Sequence, residues 1–358
     1  MRMEMSISLP TKARSFEVVK RAEELGYCAA WFYDTQLLNA EMFAAMGASA
    51  MVTSKIKLCT GVVIPSNRIA PVTASGLATI NALAPGRVIF GASTGYTGRR
   101  TLGLPAVTQA RLEAYVKVVE ALLRGETVEW SEEGGPHKIR FLNPELELIN
   151  IKDPIPIVIS AFGPKARRLT AKLGAGWIAP NTWPEREKTE MAEYQAAWKE
   201  FGHGAKKPPR TAITMAGRVL DDGEPADSKL ALAQAGPYVA IAFHNLVEEE
   251  QFGSIFPTGG HFPFPNELEA YRKVYQQYQP PDARYLTNHR GHLMFVRPDE
   301  KHITADVIKA LSLTATRGEC IERLRGIKQL GFDEVQFHTV PGHEEDMLRR
   351  WADVMGKV

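Results

Sequence analysis

The feature that most constrains this chain is an alternation repeated along nearly its whole length. Short β-branched or aromatic runs give way, again and again, to segments with apolar residues at helical spacing. That is the grammar of parallel strands joined by helices. Met5, Ile7 and Leu9 alternate in a first strand, and Phe16, Val19, Ala22 and Leu25 then recur every three residues up to Gly26. The same reasoning predicts strands over 3–9, 27–33, 56–64, 87–92, 155–161, 176–179, 211–220 and 333–340. Asn39 is the expected cap of the helix after the second strand, and Thr316 with Glu319 forms a capping box ahead of a later one. Eight strands, each followed by a helix, predict an α/β fold, a closed (β/α)8 TIM barrel. An open doubly wound sheet would more often carry a GxGxxG turn after the first strand, and none is present.

Two stretches break the rhythm. Residues 126–150 flank Gly134-Gly135-Pro136 with short strand-like runs and read as an inserted hairpin. Residues 221–306, between the seventh and eighth strands, hold helical patterns and the loop FGSIFPTGGHFPFP, the larger insertion into one barrel domain spanning 1–358. Its stretch from Phe252 to Pro265 is a candidate lid. A net charge of +2 gives no reason to expect nucleic acid or an anionic membrane as partner. Cys28, Cys59 and Cys320 are scattered and odd in number, so neither a disulfide framework nor a zinc ribbon is expected. With no signal-like segment and no long apolar run, a cytoplasmic protein without a membrane span is the expectation.

In such a barrel the chemistry belongs to residues just after each strand. After the second stands WFYDTQ, where Asp34 is either a proton-handling or ring-binding carboxylate or simply a helix cap. After the third stands TGVVIPSNR, where Gly61 marks either a close backbone approach to something flat or tight packing. The fourth leads into GASTGYTGRR, small and hydroxyl-bearing, but matching no known phosphate-loop pattern. The fifth leads through Ser160, Ala161, Phe162, Gly163, Pro164 and Lys165 into a helix. That is either a phosphate site of free N–H groups with Ser160 and Lys165 assisting, or an ordinary tight turn. Gly174, Gly176 and Trp177 could expose backbone to the same phosphate, or could be only a helix stop and a strand start. His289 and His292 lie three apart; a zinc site would need a third ligand, so no metal is expected. His292 remains a candidate acid–base or substrate-binding residue, with a structurally satisfied histidine as the plainer alternative. His244, His261, His338 and His343 stand open in the same way.

The runs WFYDTQ, TGVVIPSNRIAP, GRVIFGASTGYTGRRTLGLP, VISAFGPKARRLTAKLGAGWI and LGFDEVQF, in this order, make the chain resemble the luciferase-like monooxygenase family. That family includes the methylene-tetrahydromethanopterin reductases. The resemblance implies a barrel, usually a homodimer, with a flavin or deazaflavin ring across the strand ends. It implies a non-proline cis peptide at Gly61-Val62 behind the ring, with Thr60 and Asp34 nearby. It places Thr94, Gly95 and Tyr96 against the cofactor, and Ser160, Gly163, Lys165, Gly176 and Trp177 around its phosphate. The chain departs from the family where Thr35 follows Asp34, a position at which many members carry histidine.

Three functions compete. The leading expectation is a monooxygenase using O2 and reduced FMN supplied by a separate flavin reductase, acting on a small organic substrate. The alternative is an oxygen-independent reductase or dehydrogenase using the deazaflavin coenzyme F420, whose polyanionic tail would call for a basic channel. Arg99, Arg100, Arg167 and Arg168 are the candidates for it. The third is a barrel that binds a phosphorylated ligand without turnover.

Overall fold

The computed structural model describes residues 3–131, 134–182, 184–204, 207–253 and 262–358. Eight parallel strands close a barrel: β1 Glu4–Leu9, β2 Ala29–Phe32, β3 Lys57–Thr60, β4 Val88–Ala92, β5 Ile157–Ser160, β6 Gly176–Pro180, β7 Thr211–Met215 and β8 Glu334–His338. Closure is made by β1 against β8, paired from Glu4 opposite Glu334 to Ser8 opposite His338. Helices such as Ser15–Glu24, Ala70–Leu83, Gln109–Leu123 and Glu344–Met355 return the chain between strands, as right-handed parallel connections require.

Alternation along the strands sorts side chains to two faces. Ala30, Phe32, Leu58, Phe90, Ile159 and Ile213 join the large core between sheet and helices. Ala29, Trp31, Cys59, Ile89, Val158, Ile178 and Ala212 fill the barrel interior. One side of that interior is polar. On β1 and β8, Met5, Ile7, Val335 and Phe337 pack outward, so the alternating, buried Ser6, Ser8, Glu334, Gln336 and His338 point in. The floor of the barrel is tied by Glu334. It accepts from Ser6 Oγ, from Arg210 Nε and, at 3.0 Å, from Trp31 Nε1.

Several boundaries differ from the sequence reading. β3 stops at Thr60, and Val63 touches β4 only through an isolated bridge to Ala92. The seventh strand ends at Met215. The chain turns at Gly217, where a Cβ would lie 2.1 Å from the Leu313 carbonyl oxygen, and Val219–Leu220 pairs with Ala315–Thr316 outside the barrel. Glu41, not Asn39, caps the helix Met42–Ala50, accepting from the Ala44 N–H at 2.7 Å. The capping box at Thr316 and Glu319 is present. Val128–Ser131 and Pro136–Ile139 form the antiparallel hairpin.

Between β7 and β8 lie the helices Lys229–Val247, Glu249–Phe252, Pro265–Tyr275, Tyr285–Asn288 and Ala305–Leu311. Lys229–Val247 is long and apolar enough to cross a membrane by length and composition, which the sequence reading did not anticipate. Here it is the centre of a second core, where Ala235, Val239, Ala240 and Phe243 pack on Tyr271, Ile303, Val307 and Ile308.

Glu334→Ala leaves the Arg210 guanidinium and the Trp31 N–H without their partner in the barrel floor. It is expected to lower unfolding free energy by about 3–5 kcal/mol. Urea titration reads this directly, and a loss under about 1 kcal/mol would show that solvent already compensates Arg210.

Candidate active site

A cavity of about 920 Å³ opens at the C-terminal ends of the strands. The barrel contributes Tyr33 and Asp34 after β2, Gly61, Val62 and Ile64 after β3, Thr94 to Gly98 after β4, and Ser160 with Phe162 to Ala166 after β5. The insertion supplies the opposite wall, including Tyr238, Asn245, Phe262, His292 and Leu293. Of the candidate lid, residues 254–261, with His261, lie outside the described residues; Phe262 and Pro263 line the cavity.

One end of the cavity is formed by an open helix N-terminus. The helix Pro164–Lys172 begins there with Gly163 as its N-cap, and no side chain caps its free N–H groups. Nothing lies within 4 Å of where a Gly163 Cβ would sit, so the cradle is open. Lys165 lines the same end, and no carboxylate among the described residues pairs with it. On the adjoining wall Gly95 has φ +80°, and a Cβ there would lie 2.3 Å from Ile64 Cγ2, so the tight turn needs glycine. The Tyr96 hydroxyl beside it is buried without a partner. An open N-cap, an unpaired lysine and an orphaned hydroxyl along one cavity fit a phosphate-bearing ring coenzyme.

The other end holds Asp34. Its carboxylate accepts from Arg68 Nη1 at 2.6 and 2.7 Å, and Asn67 Nδ2 approaches it at 3.4 Å. Burial pushes the Asp34 carboxyl up, against the pull of Arg68. Asn67 Nδ2 also donates to Gln36 Oε1 at 2.7 Å, and the Gln36 amide donates to the Gly98 carbonyl. Three strand-end loops are thus laced together. The Gly61-Val62 peptide on this wall is cis, as the resemblance implied. Tyr33 stacks on His338, with its hydroxyl 2.9 Å from His338 Nδ1. His338 Nε2 lies 2.8 Å from the Leu293 carbonyl, which can only accept, so Nε2 carries the proton. Burial lowers the His338 pKa to about 4.

The structure brings Asp34, Gly61, Val62, Thr94, Gly95, Tyr96, Ser160, Gly163, Pro164, Lys165 and, from the insertion, His292 onto the lining of one cavity. Four other expected residues are not on it. Thr60 is fully buried and its hydroxyl is exchanged with the backbone of Gly91, 2.8 Å in each direction. Gly176 begins β6 at the far end of the barrel, and a Cβ there would lie 2.6 Å from the Arg210 carbonyl oxygen. Trp177 packs on Tyr194 and Phe332 behind the sheet and donates its Nε1–H to the Ala161 carbonyl at 2.9 Å. Trp177 and Ala161 therefore brace the turn at Gly163 from behind.

His292 reaches the cavity from the insertion, but both its ring nitrogens are engaged. Nδ1 lies 3.2 Å from His244 Nδ1 and 3.4 Å from His289 Nδ1, and Nε2 lies 3.1 Å from Thr97 Oγ1. Burial pushes its pKa well down, and the neighbouring His289 adds to this. A free acid–base histidine does not fit that arrangement. The four candidate arginines are also spoken for. Arg100 pairs with Glu248 and lies over the Tyr96 ring, and Arg167 pairs with Glu190 and Glu193. Arg168 pairs with Glu200, and Arg99 donates to the Pro105 carbonyl.

Sequence reasoning missed Arg68, Asn67, Tyr238 and Asn245 as parts of the site, and it left His244 an open candidate without placing it beside His292. Arg68 and Asn67 sat inside the run TGVVIPSNRIAP, two and three residues after the proline that ends the apolar stretch. His244 and Glu248 carried a signal in being four apart on a helix, one face of it.

Fold and cavity together define a (β/α)8-barrel oxidoreductase. The chain belongs to the luciferase-like monooxygenase family, whose model matches residues 3–334. Over 141 residues it is 32% identical to an F420-dependent glucose-6-phosphate dehydrogenase of Beutenbergia cavernae, covering 37% of this chain and 40% of that protein. Over 173 residues it is 29% identical to limonene 1,2-monooxygenase of Rhodococcus erythropolis, covering 46% of this chain and 44% of that one. The matches thus span less than half the length of these two relatives. The solved structure of a coenzyme F420 dependent tetrahydromethanopterin reductase from Methanopyrus kandleri superposes with a TM-score of 0.69 at 19% identity, covering 98% of each chain.

Asp34→Ala removes the carboxylate that fixes Arg68 at the cavity wall. We expect turnover to fall about tenfold or more while coenzyme affinity changes less than about threefold, as for a group acting on the reacting atoms. Full turnover in the folded variant would leave Asp34 as a strut for Arg68 only.

Proposed function

We propose that this enzyme is a flavin-dependent monooxygenase that uses reduced FMN and O2 on a small organic substrate. The observation that carries the reading is the turn at Gly163: an open helix N-terminus with Lys165 beside it, and no carboxylate among the described residues pairs with that lysine. That suits a single terminal phosphate. The arginines that could have lined a channel for a polyanionic tail are each bound to carboxylates or to backbone.

In this reading Gly163, Ser160 and Lys165 hold the phosphate, and the Gly61-Val62 edge with Thr94 to Tyr96 faces the ring. Such a coenzyme supplies the electron pair that reduces dioxygen, one oxygen atom entering the substrate and the other leaving as water. The protein must then keep bulk water out and orient the substrate. Val62, Ile64, Leu246, Phe262 and Leu293 form the apolar walls for the first task. Asp34, steadied by Arg68, is the carboxylate placed to take or return a proton. A separate flavin reductase, a homodimeric assembly and a cytoplasmic location belong to the same proposal.

A second reading, hydride transfer with coenzyme F420 and no oxygen, is favoured by the similarity to the F420-dependent dehydrogenase. Titration of the purified protein separates the two. We expect flavin fluorescence to quench on binding FMN and oxygen uptake to follow addition of reduced FMN. Quenching of F420 with no FMN binding and no oxygen uptake would replace the first reading with the second, and binding of neither would leave a non-catalytic phosphate-binding barrel.

Gly163→Asp tests the anion site separately. An aspartate at an N-cap suits the helix, so folding should hold, yet its charge would occupy the phosphate's place. We expect FMN affinity to fall about tenfold or more with an unchanged melting temperature. Unaltered affinity would remove the phosphate from this turn.

A further inference from the structure

We propose that His244, His289 and His292 form a binding site for a zinc-type divalent transition ion at the cavity wall, independent of which coenzyme the barrel takes. The three side chains come from separate parts of the insertion: His244 from the helix Lys229–Val247, His289 just past the short helix Tyr285–Asn288, and His292 from the turn that follows. All three are buried, and each turns one ring nitrogen toward the others, within 4.8 Å of one another.

Two of the three nitrogen separations match a coordination shell, and the third lies within 4.8 Å. A tetrahedral zinc with bonds of about 2.0–2.1 Å to imidazole nitrogen sets its ligands about 3.3 Å apart. The Nδ1 atoms of His244 and His289 lie 3.2 and 3.4 Å from that of His292.

The far side of each ring is also arranged as a metal site requires. His244 Nε2 lies 2.5 Å from Glu300 Oε1, and His289 Nε2 lies 2.9 Å from Glu248 Oε2. A carboxylate accepts the Nε2–H and leaves Nδ1 with its lone pair facing inward, the outer-shell pattern of ligating histidines. His292 Nε2 meets the Thr97 hydroxyl at 3.1 Å, which can donate or accept. His292 can therefore present its Nδ1 either as an N–H shared between the two lone pairs or as a third lone pair. An ion in the centre takes the place of that one shared proton.

A second observation points to a missing ligand in the same place. Glu248 Oε1 is buried without a partner, and so are both amide atoms of Asn245, the residue next to His244 and itself on the cavity wall. Buried polar atoms are rarely left unpaired. Three nitrogens leave one position of a tetrahedral ion for water or for an oxygen of a cavity ligand. The two carboxylates are already matched by Arg100 and Arg297, so the imidazoles alone carry the ion. That favours zinc, cobalt, nickel or copper over magnesium or calcium.

The test is direct. Chelator-stripped full-length protein is titrated with Zn2+ against a chromogenic chelator, and with Co2+ while the visible spectrum is recorded. We expect one equivalent to bind, with the intense d–d absorption of four-coordinate Co2+, and His292→Ala to weaken binding about 100-fold or more. Glu248→Gln, which keeps all three ligands, should weaken it about 10–100-fold. X-ray absorption at the zinc edge of the loaded wild-type protein should show three imidazole scatterers, which decides the matter even where a variant fails to fold. Wild-type protein that takes up neither ion, an edge spectrum without imidazole, or folded variants that bind as wild type would overturn the site.

Discussion

The carboxylate of Glu334 is the constraint on which the rest of the molecule depends. It stands at the start of the last strand, and it is reached by Ser6 from the first strand, Trp31 from the second and Arg210 just before the seventh. The closing seam of the barrel is thereby joined to its neighbours on both sides. A buried charge is costly unless every lone pair is used, and here donors from three segments use them. Only one register of β8 against β1 lets them do so, because a shift by one residue would turn Glu334 outward into the apolar core. With the floor fixed in that way, the opposite strand ends are fixed too, and the cavity is built on them.

From there the polar contacts run along the cavity rim rather than inward. Arg68 clasps Asp34, Asn67 holds Gln36, Gln36 reaches Gly98, and Thr97 meets His292. Loops after the second, third and fourth strands are so joined to the insertion by side-chain hydrogen bonds. Groups held in such a lattice lose little entropy when a ligand arrives, which is what a preorganised site needs. The apolar cores, by contrast, stay separate: one around the barrel and one within the insertion.

Much of this was legible in the sequence, and the reasons for the misses are specific. Barrel closure and the strand-to-helix turn from Ser160 to Lys165 followed from periodicity and from glycine and proline placement. Gly176 and Trp177 were misplaced because a glycine at a strand start looks the same as one at a strand end. Only the three-dimensional sheet shows that Gly176 faces the floor. Thr60 was misread because a threonine at a strand end offers a hydroxyl whether it serves a ligand or, as here, the backbone of Gly91. The histidine cluster escaped notice because His244 and His292 are 48 residues apart and meet through the packing of the insertion. Local spacing shows the pair at 289 and 292 and nothing of the third.

That packing also divides the cavity between two independently held walls. The Gly163 turn and the Gly61-Val62 edge come from strand ends, whose positions are set by the sheet. The opposing wall comes from a segment with its own core, in which Val239, Phe243 and Tyr271 pack without help from the strands. Substitutions among Tyr238, Ile241, Ala242 and Leu246 alter the cavity from a helix whose buried face is elsewhere satisfied. Such changes leave the barrel floor and the turn at Gly163 untouched, because the two cores share no buried residue. The wall opposite the strand ends is therefore held by the core of the insertion, and the strand-end wall by the closed sheet.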